Sequence, residues 1–521
     1  MRLFGEKRDS IMKLKENGGV GRRDFLRLAG MGAVGATLFP GVGSLGLPVS
    51  QSSAGKSTER RPNVLFIAID DLRDWVHYLG VNPQVKTPNL DRLAARGVAF
   101  TRAYCASPLC NPSRTALLSG LRAGSTGVYG NGIDWRKVVP AAATTLPLHF
   151  KNNGYYVAGA GKIFHDSFRR DSDWNEYLPK GGVGDEDDHL DKMLKKGGHS
   201  NIYLIAPDVS NISIGPIAGG DDALEDYHSV SYIIKKLGEK HDQPFFLACG
   251  LHKPHLPWTV PQKYFDLYPL DSIILPKILE TDLDDVPPIG VQFAHRQEHD
   301  AIVRNGKWKA AVQAYLATIT YSDTMIGRLL DGFVKSGHAD DTIICCWSDH
   351  GWHLGEKLHW HKSTLWEEAT RAPHIWVVPG LTKAGSSCGR TVDYMNIYPT
   401  LTELCGLPTP QHVQGVSIKA LLADPAAAWD RPAITTHQFS NHTVRTERWR
   451  YIHYADGGEE LYDHEKDPLE WTNLAKDSQY TAIKADLAQW LPKENKETPS
   501  GGEKDSSKKK RKAKKRGNQD A

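Results

Sequence analysis

The chain has 521 residues, more than one minimal domain needs and enough to bury a large core. Hydrophobic residues make up 40% and charged residues 24%, which excludes a polytopic membrane protein and a disordered one. Seven cysteines are too few for a disulfide scaffold.

Charge is segregated along the chain. Residues 1–27 carry eight Lys/Arg against four Asp/Glu, and residues 28–54 carry none. A basic leader before an apolar stretch is a secretory pattern, and Gly21-Arg22-Arg23-Asp24-Phe25-Leu26-Arg27 resembles a twin-arginine export signal. Six glycines with Pro40 and Pro48 in 28–48 argue against a spanning helix. Residues 1–54 are therefore expected to be an export leader, delivering the protein to the periplasm or beyond. At the other end, 493–521 hold eleven Lys/Arg against five Asp/Glu, including Lys508-Lys509-Lys510-Arg511-Lys512, and are read as a disordered basic tail. The remaining 55–492 carry a net −7 and all 22 histidines. That part calls for no nucleic acid and favours a chemistry of metals, protons or oxyanions.

Asn63–Asp70 reads as a buried strand, Thr87–Arg96 as a helix and Phe100–Tyr104 as extended. Pro112–Ser119 reads as a helix closed by Gly120. Tyr155–Ala158, Phe245–Cys249, Thr342–Trp347 and Ile375–Val378 read as short strands, and Lys309–Val334 as a long amphipathic helix. Alternation of this kind predicts an α/β fold with a large, mostly parallel sheet sandwiched by helices, spanning 55–430. After about 430 the texture changes. Thr443–Tyr454 and Glu459–Asp463 read as strands and Tyr480–Leu491 as a closing helix, giving a smaller C-terminal α+β subdomain (431–492) on an antiparallel sheet.

Ligands of open α/β sheets bind beyond the carboxyl ends of the strands. Four such ends carry reactive residues: Asp70-Asp71, then Lys162 and His165, then His252-Lys253-Pro254-His255, then Asp349-His350. Converging carboxylates suit Ca²⁺ or Mg²⁺. Cys110-Asn111-Pro112-Ser113-Arg114 sets a thiol at the head of a helix whose free N–H groups, with Arg114, suit a tetrahedral oxyanion. Cys388 and Cys405 are candidates for pairing in an oxidising compartment.

The Cys110-x-Pro112-Ser113-Arg114 run followed by Leu118-Ser119-Gly120 resembles the sulfatase motif. Gly161-Lys162-Ile163-Phe164-His165, His252-Lys253-Pro254-His255, and Asp349-His350-Gly351-Trp352-His353 with Lys362 resemble the iduronate-2-sulfatase branch over about residues 60–490. The resemblance implies an alkaline phosphatase/sulfatase-like fold. It implies oxidation of Cys110 to Cα-formylglycine by a formylglycine-generating enzyme, and one Ca²⁺ held by Asp70, Asp71, Asp349, His350 and residue 110. It further implies that Arg114 and Lys162 hold the nucleophile, that His165 takes a proton as sulfate leaves, and that His252 and Lys362 contact the sulfate, one of them protonating the leaving oxygen. His255, His353, His359 and His361 receive no role. The expected substrate is a sulfated saccharide, with a 2-O-sulfated uronate as one form. The competing readings are a phosphonate or phosphate monoester hydrolase of the same superfamily and a non-catalytic binder of sulfated glycans.

Overall fold

A computed structural model describes residues 61–165, 168–178 and 202–498. The expected leader and the lysine-rich part of the tail lie outside these residues. Sixteen strands occur among the described residues. In chain order they are β1 (Asn63–Ile69), β2 (Val98–Tyr104), β3 (Tyr156–Gly161), β4 (Glu176–Tyr177), β5 (Tyr203–Leu204), β6 (Ser213–Ile214), β7 (Phe245–Leu251) and β8 (Thr342–Ser348). Then come β9 (His353–Leu354), β10 (Trp360–His361), β11 (His374–Val377), β12 (Ser386–Asp393), β13 (Ala433–Thr436), β14 (His442–Arg445), β15 (Trp449–His453) and β16 (Glu459–Asp463).

Eight of them form one sheet in the order β12-β2-β11-β8-β1-β7-β3-β4. Every residue of β1, β7 and β8 is buried, which is why these segments are nearly unbroken apolar runs. Side chains alternate across β1. Leu65, Ile67 and Ile69 pack with the Glu225–Leu237 and Trp308–Lys335 helices. Val64, Phe66 and Ala68 pack with the Cys110–Ser119 and Ile397–Leu404 helices. The sandwich expected from alternating strands and helices is thus present, with the long helix one residue longer at each end than its apolar pattern. No helix among the described residues is long and apolar enough to cross a membrane.

Register sets the site. Ile69 pairs with both Leu251 and Ser348, so Asp70, His252 and Asp349 leave the sheet side by side. Gly161 pairs with Gly250, which brings Lys162 to the same edge. β11 runs antiparallel to both neighbours, β2 and β8. The chain leaves β8 at this edge, spends 349–373 there and re-enters without crossing the sheet, so the direction must reverse.

The C-terminal sheet is the antiparallel meander β13-β14-β15-β16. The stretch Thr443–Tyr454, read as one strand, is a hairpin. Thr446 closes its turn by donating its N–H to Trp449 O at 2.8 Å and accepting at Oγ1 from Trp449 N at 2.9 Å. No glycine, proline or asparagine marks that turn, so alternation runs through it unseen. The closing helix is shorter than expected, Thr481–Ala488. Beyond 492 the chain still packs on the catalytic part: Lys496 donates N–H to Gly124 O and Nζ to Ser125 O, both at 2.8 Å. Cys388 and Cys405 are buried and unbonded. Cys388 Sγ faces Pro425 O at 3.4 Å.

Candidate active site

Asp71 turns the chain off β1 with a left-handed φ of 57°, a conformation Asp tolerates better than most residues. The turn is pinned. Asp71 N–H donates to Asp349 Oδ1 at 3.0 Å, and Tyr315 Oη donates to Asp71 O at 2.7 Å. Gly161 has φ 69°, and a Cβ there would stand 1.9 Å from Gly250 O. Only glycine allows β3 to approach β7 so closely and to aim Lys162 inward. Cys110 opens the Cys110–Ser119 helix, all of whose residues are buried. Ser113 Oγ donates to Asp349 O at 2.6 Å, tying that helix to the end of β8.

Three carboxylates and three cations interlock here. Arg114 donates Nη2 to Asp70 Oδ1 at 3.0 Å and Nε to Asp349 Oδ2 at 2.8 Å. It also donates Nη1 to Lys162 O. Lys162 Nζ meets Asp70 Oδ2 at 2.5 Å, and Lys362 Nζ meets Asp71 Oδ1 at 2.6 Å. Around Cys110 Sγ stand Lys362 Nζ at 3.1 Å, His350 Nε2 at 3.3 Å and Asp71 Oδ1 at 3.7 Å. His350 Nδ1 lies 3.0 Å from Gly351 O, so its proton sits there and Nε2 offers a lone pair to the centre. The structure thus gathers Asp70, Asp71, Cys110, Arg114, Lys162, Asp349, His350 and Lys362. His165 lies farther along the Lys162 loop. His252 heads a turn held by Asp226, whose carboxylate accepts from His252 N at 2.6 Å and Lys253 N at 3.0 Å.

The charge states follow from burial opposed by partners. Burial raises Asp70, but Lys162 and Arg114 outweigh it and hold the carboxyl well below its ordinary value. Burial prevails at Asp349 and leaves it raised, although Arg114 opposes. Burial, then Asp70, pushes the Cys110 thiol well up, so it is no thiolate near neutral pH. Burial works against the Lys362 ammonium, but Asp71 and Cys110 outweigh it and raise its value.

The sequence missed two features. His255 stands with Asp70, Asp71 and Cys110 as a potential ligand, its Nε2 3.8 Å from Asp71 Oδ2 and its Nδ1 2.7 Å from Leu256 O. Its place three residues after His252 was the only signal. The second is the loop that delivers Lys362. Lys357, Leu358, His361 and Ser363 all have positive φ (56°, 51°, 77° and 73°), at a cost of about 1–2 kcal/mol each. Such strain persists only under dense constraint. Lys357 Nζ donates to Asp282 Oδ1 at 2.7 Å, His361 Nε2 lies 2.8 Å from Glu298 Oε1, and His359 Nε2 lies 2.9 Å from Lys362 O. No glycine announces these left-handed turns.

A divalent ion is not needed to balance the three aspartates, which are already matched by Arg114, Lys162 and Lys362, yet the site fits one. The telling atom is Asp71 Oδ2, buried and without a hydrogen-bond partner. Asp71, Asp349, His350 and residue 110 offer donor atoms within 4.8 Å of one another, as do Asp70, Asp71, Cys110 and His255. Two of the four donors in each set are carboxylate oxygens, the hard ligands that Ca²⁺ or Mg²⁺ takes. With the protein charges balanced, a dication and an anionic sulfate would enter as an almost compensated pair.

Known proteins resemble this chain over most of its length. The Sulfatase family profile matches residues 62–407, and the profile described as N-sulphoglucosamine sulphohydrolase, C-terminal, matches 355–497. A sulfatase of Formosa agariphila is 38% identical over 84% of this chain and 87% of its own. Iduronate 2-sulfatase of Homo sapiens is 31% identical over 69% of this chain and 72% of its own. A phosphonate monoester hydrolase of Silicibacter pomeroyi superposes with a TM-score of 0.68 at 21% identity, covering 82% of this chain and 94% of that one; at that identity the likeness is one of fold.

Proposed function

Because the chain belongs to the sulfatase family, we propose that it is an exported hydrolase of sulfate esters on a saccharide, with a 2-O-sulfated uronate as the leading substrate class. The observation that carries this reading is the surroundings of Cys110: a buried side chain at a helix head, with Lys362 Nζ at 3.1 Å and His350 Nε2 at 3.3 Å, beside carboxylates balanced by cations. The uronate preference is supported by the likeness to iduronate 2-sulfatase and by the Gly161–His165 and His252–His255 motifs. Twin-arginine export and a formylglycine-generating enzyme are the partners that the leader and the Cys110 motif call for.

The raised thiol of Cys110 is a poor nucleophile as it stands, so the reaction calls for a converted residue. Oxidation to Cα-formylglycine supplies a hydrated aldehyde hydroxyl for attack on sulfur. Asp70, Asp71, Asp349, His350 and residue 110 would hold a calcium ion, which would supply Lewis-acid chemistry at the sulfate. The chain's own residues do the rest. Arg114 braces Asp70 against Asp349 and keeps both oriented. Lys162 and Lys362 present ammonium groups to the charge that builds on the sulfate oxygens. Lys362 is held in its charged form by Asp71 and surrenders a proton reluctantly. His252 or Lys362 protonates the departing sugar oxygen, and His165 accepts a proton when sulfate is released.

Turnover of paired aryl sulfate and aryl phosphonate esters, followed by defined sulfated oligosaccharides with mass detection, tests this reading. Sulfate release at least a hundredfold faster than phosphonate hydrolysis is expected. Preferential phosphonate cleavage, or no hydrolysis of either, would overturn it.

A further inference from the structure

A cavity of about 800 Å³ lies between the segment after Asp71 and the C-terminal sheet, within the size range of small-ligand sites. None of Asp70, Asp71, Cys110, Asp349, His350 and Lys362 lines it, so it is separate from the reaction centre. One wall is apolar and open to solvent: Val81 is 40% and Ile274 58% exposed, with Leu275, Pro276 and Leu469 beside them. The floor is charged but closed on itself. Arg73 pairs with Asp74 at 3.0 Å and Glu356 at 2.7 Å, and Arg445 pairs with Glu367 at 3.2 Å.

Glu368 stands outside these pairs. It lines the cavity and is only 8% exposed. Its carboxyl accepts from its own backbone N–H and lies in the field of Arg73, with His353 Nδ1 3.9 Å away. At the rim, Arg102 and Lys277 line the cavity, and no ion pair with a carboxylate is recorded for either among the described residues. Arg102 donates instead to Gly389 O at 2.5 Å. Glu447 and Glu465, also in the lining, pair with Arg390 at 2.9 Å and Arg448 at 3.2 Å, so the lining groups outside ion pairs are the cations Arg102 and Lys277 and the buried carboxyl of Glu368.

We propose that this cavity is a second binding site for an anionic saccharide unit, distinct from the site of hydrolysis. A pyranose bearing a sulfate or carboxylate meets all three features: its C–H face covers the Val81–Ile274 wall, its hydroxyls pair with Glu368, and its anion meets Lys277 and Arg102. The class of occupant rests on the proposed saccharide substrate. Its purpose is retention of a long chain. One unit held here keeps neighbouring units near the reaction centre and lowers the apparent KM for polymer without touching a small ester.

The test uses the full chain carrying Cys110→Ala, titrated calorimetrically with a sulfated, uronate-containing disaccharide. Adding Lys277→Glu and Ile274→Asp should remove one equivalent of binding. In the chain with Cys110 intact, the same pair should raise KM for a sulfated polysaccharide at least fivefold and leave aryl sulfate turnover within twofold. Unchanged stoichiometry, or an unchanged polymer KM, would overturn the second site. Failure of the unaltered chain to hydrolyse the aryl sulfate would instead overturn the proposed function, and the calorimetric count would still decide the cavity.

Discussion

Arg450 is where the C-terminal sheet grips the catalytic part, and Arg450→Met is the most informative single perturbation of the fold. Its guanidinium is fully buried. It binds Glu367 and Glu470, donates to Leu365 O at 2.9 Å and meets Thr443 Oγ1 at 3.1 Å. Methionine fills similar volume but leaves two buried carboxylates with weaker partners, Arg445 at 3.2 Å and His464 at 2.8 Å. Breaking a buried pair in this way costs about 3–5 kcal/mol. Linkage gives an independent figure. Burial raises Glu470, yet Arg450 and His464 together outweigh it and hold the group at about 2, against an ordinary 4.5. That difference corresponds to about 3 kcal/mol, shared between Arg450 and His464. The sign follows from a depressed carboxyl: the stabilisation is present above pH 4.5 and fades as pH falls toward 2. For a folded part of some 430 residues, such a loss lowers Tm by about 4–5 °C. Calorimetry at pH 7 measures it directly. Adding Glu367→Gln and Glu470→Gln should restore at least half of the loss by removing the stranded charges. Because Glu470 also accepts from Glu367 N at 3.0 Å, close to the Lys362 loop, the single variant should lower kcat several-fold. A Tm within 1 °C of the parent, or a triple variant less stable than the single one, would refute the argument.

Peptide mass spectrometry of active protein should find residue 110 as an aldehyde or its hydrate, and Cys110→Ala should abolish sulfate release with the fold intact; a plain thiol in fully active enzyme contradicts the reading. Chelation should stop turnover and lower Tm, and Asp349→Asn should weaken calcium binding at least tenfold, whereas Asp463→Asn, which faces Arg448, should leave it unchanged; full activity after exhaustive chelation decides against the metal. Gly161→Ala should destabilise by about 3 kcal/mol or more, because its Cβ would collide with Gly250 O; near-parental stability would show the strand approach is not tight. Burial holds His374, His353 and His437 at about 3 and His442 at about 4. The unfolded chain protonates these rings first, so their contribution is complete above about pH 6.5 and shrinks as pH falls; at pH 5 each should cost about 2 kcal/mol, and a Tm flat from pH 7 to 5 would count against buried neutral imidazoles.

The side chains that cluster at the sheet edge were legible in the sequence because they sit where local pattern changes. Asp70-Asp71 and Asp349-His350 end strongly apolar runs, and Cys110 opens a helix marked by Pro112 and closed by Gly120. Periodicity along a few residues identifies such elements, since burial of a strand or a helix face acts through neighbours in the chain. What the tertiary structure decided is of another kind. That three aspartates are matched by Arg114, Lys162 and Lys362 depends on ion pairs spanning 44 to 291 positions. That His255 faces Asp71, and that Arg450 locks Glu367 to Glu470, are equally long-range. β11 reverses direction because the chain from 349 to 373 stays at one edge of the sheet, and the left-handed backbone under Lys362 is held by Asp282, Ala294 and Glu298. Side-chain type and spacing encode which residues can react; which partners neutralise them is decided by contacts that exist only after the strands have paired.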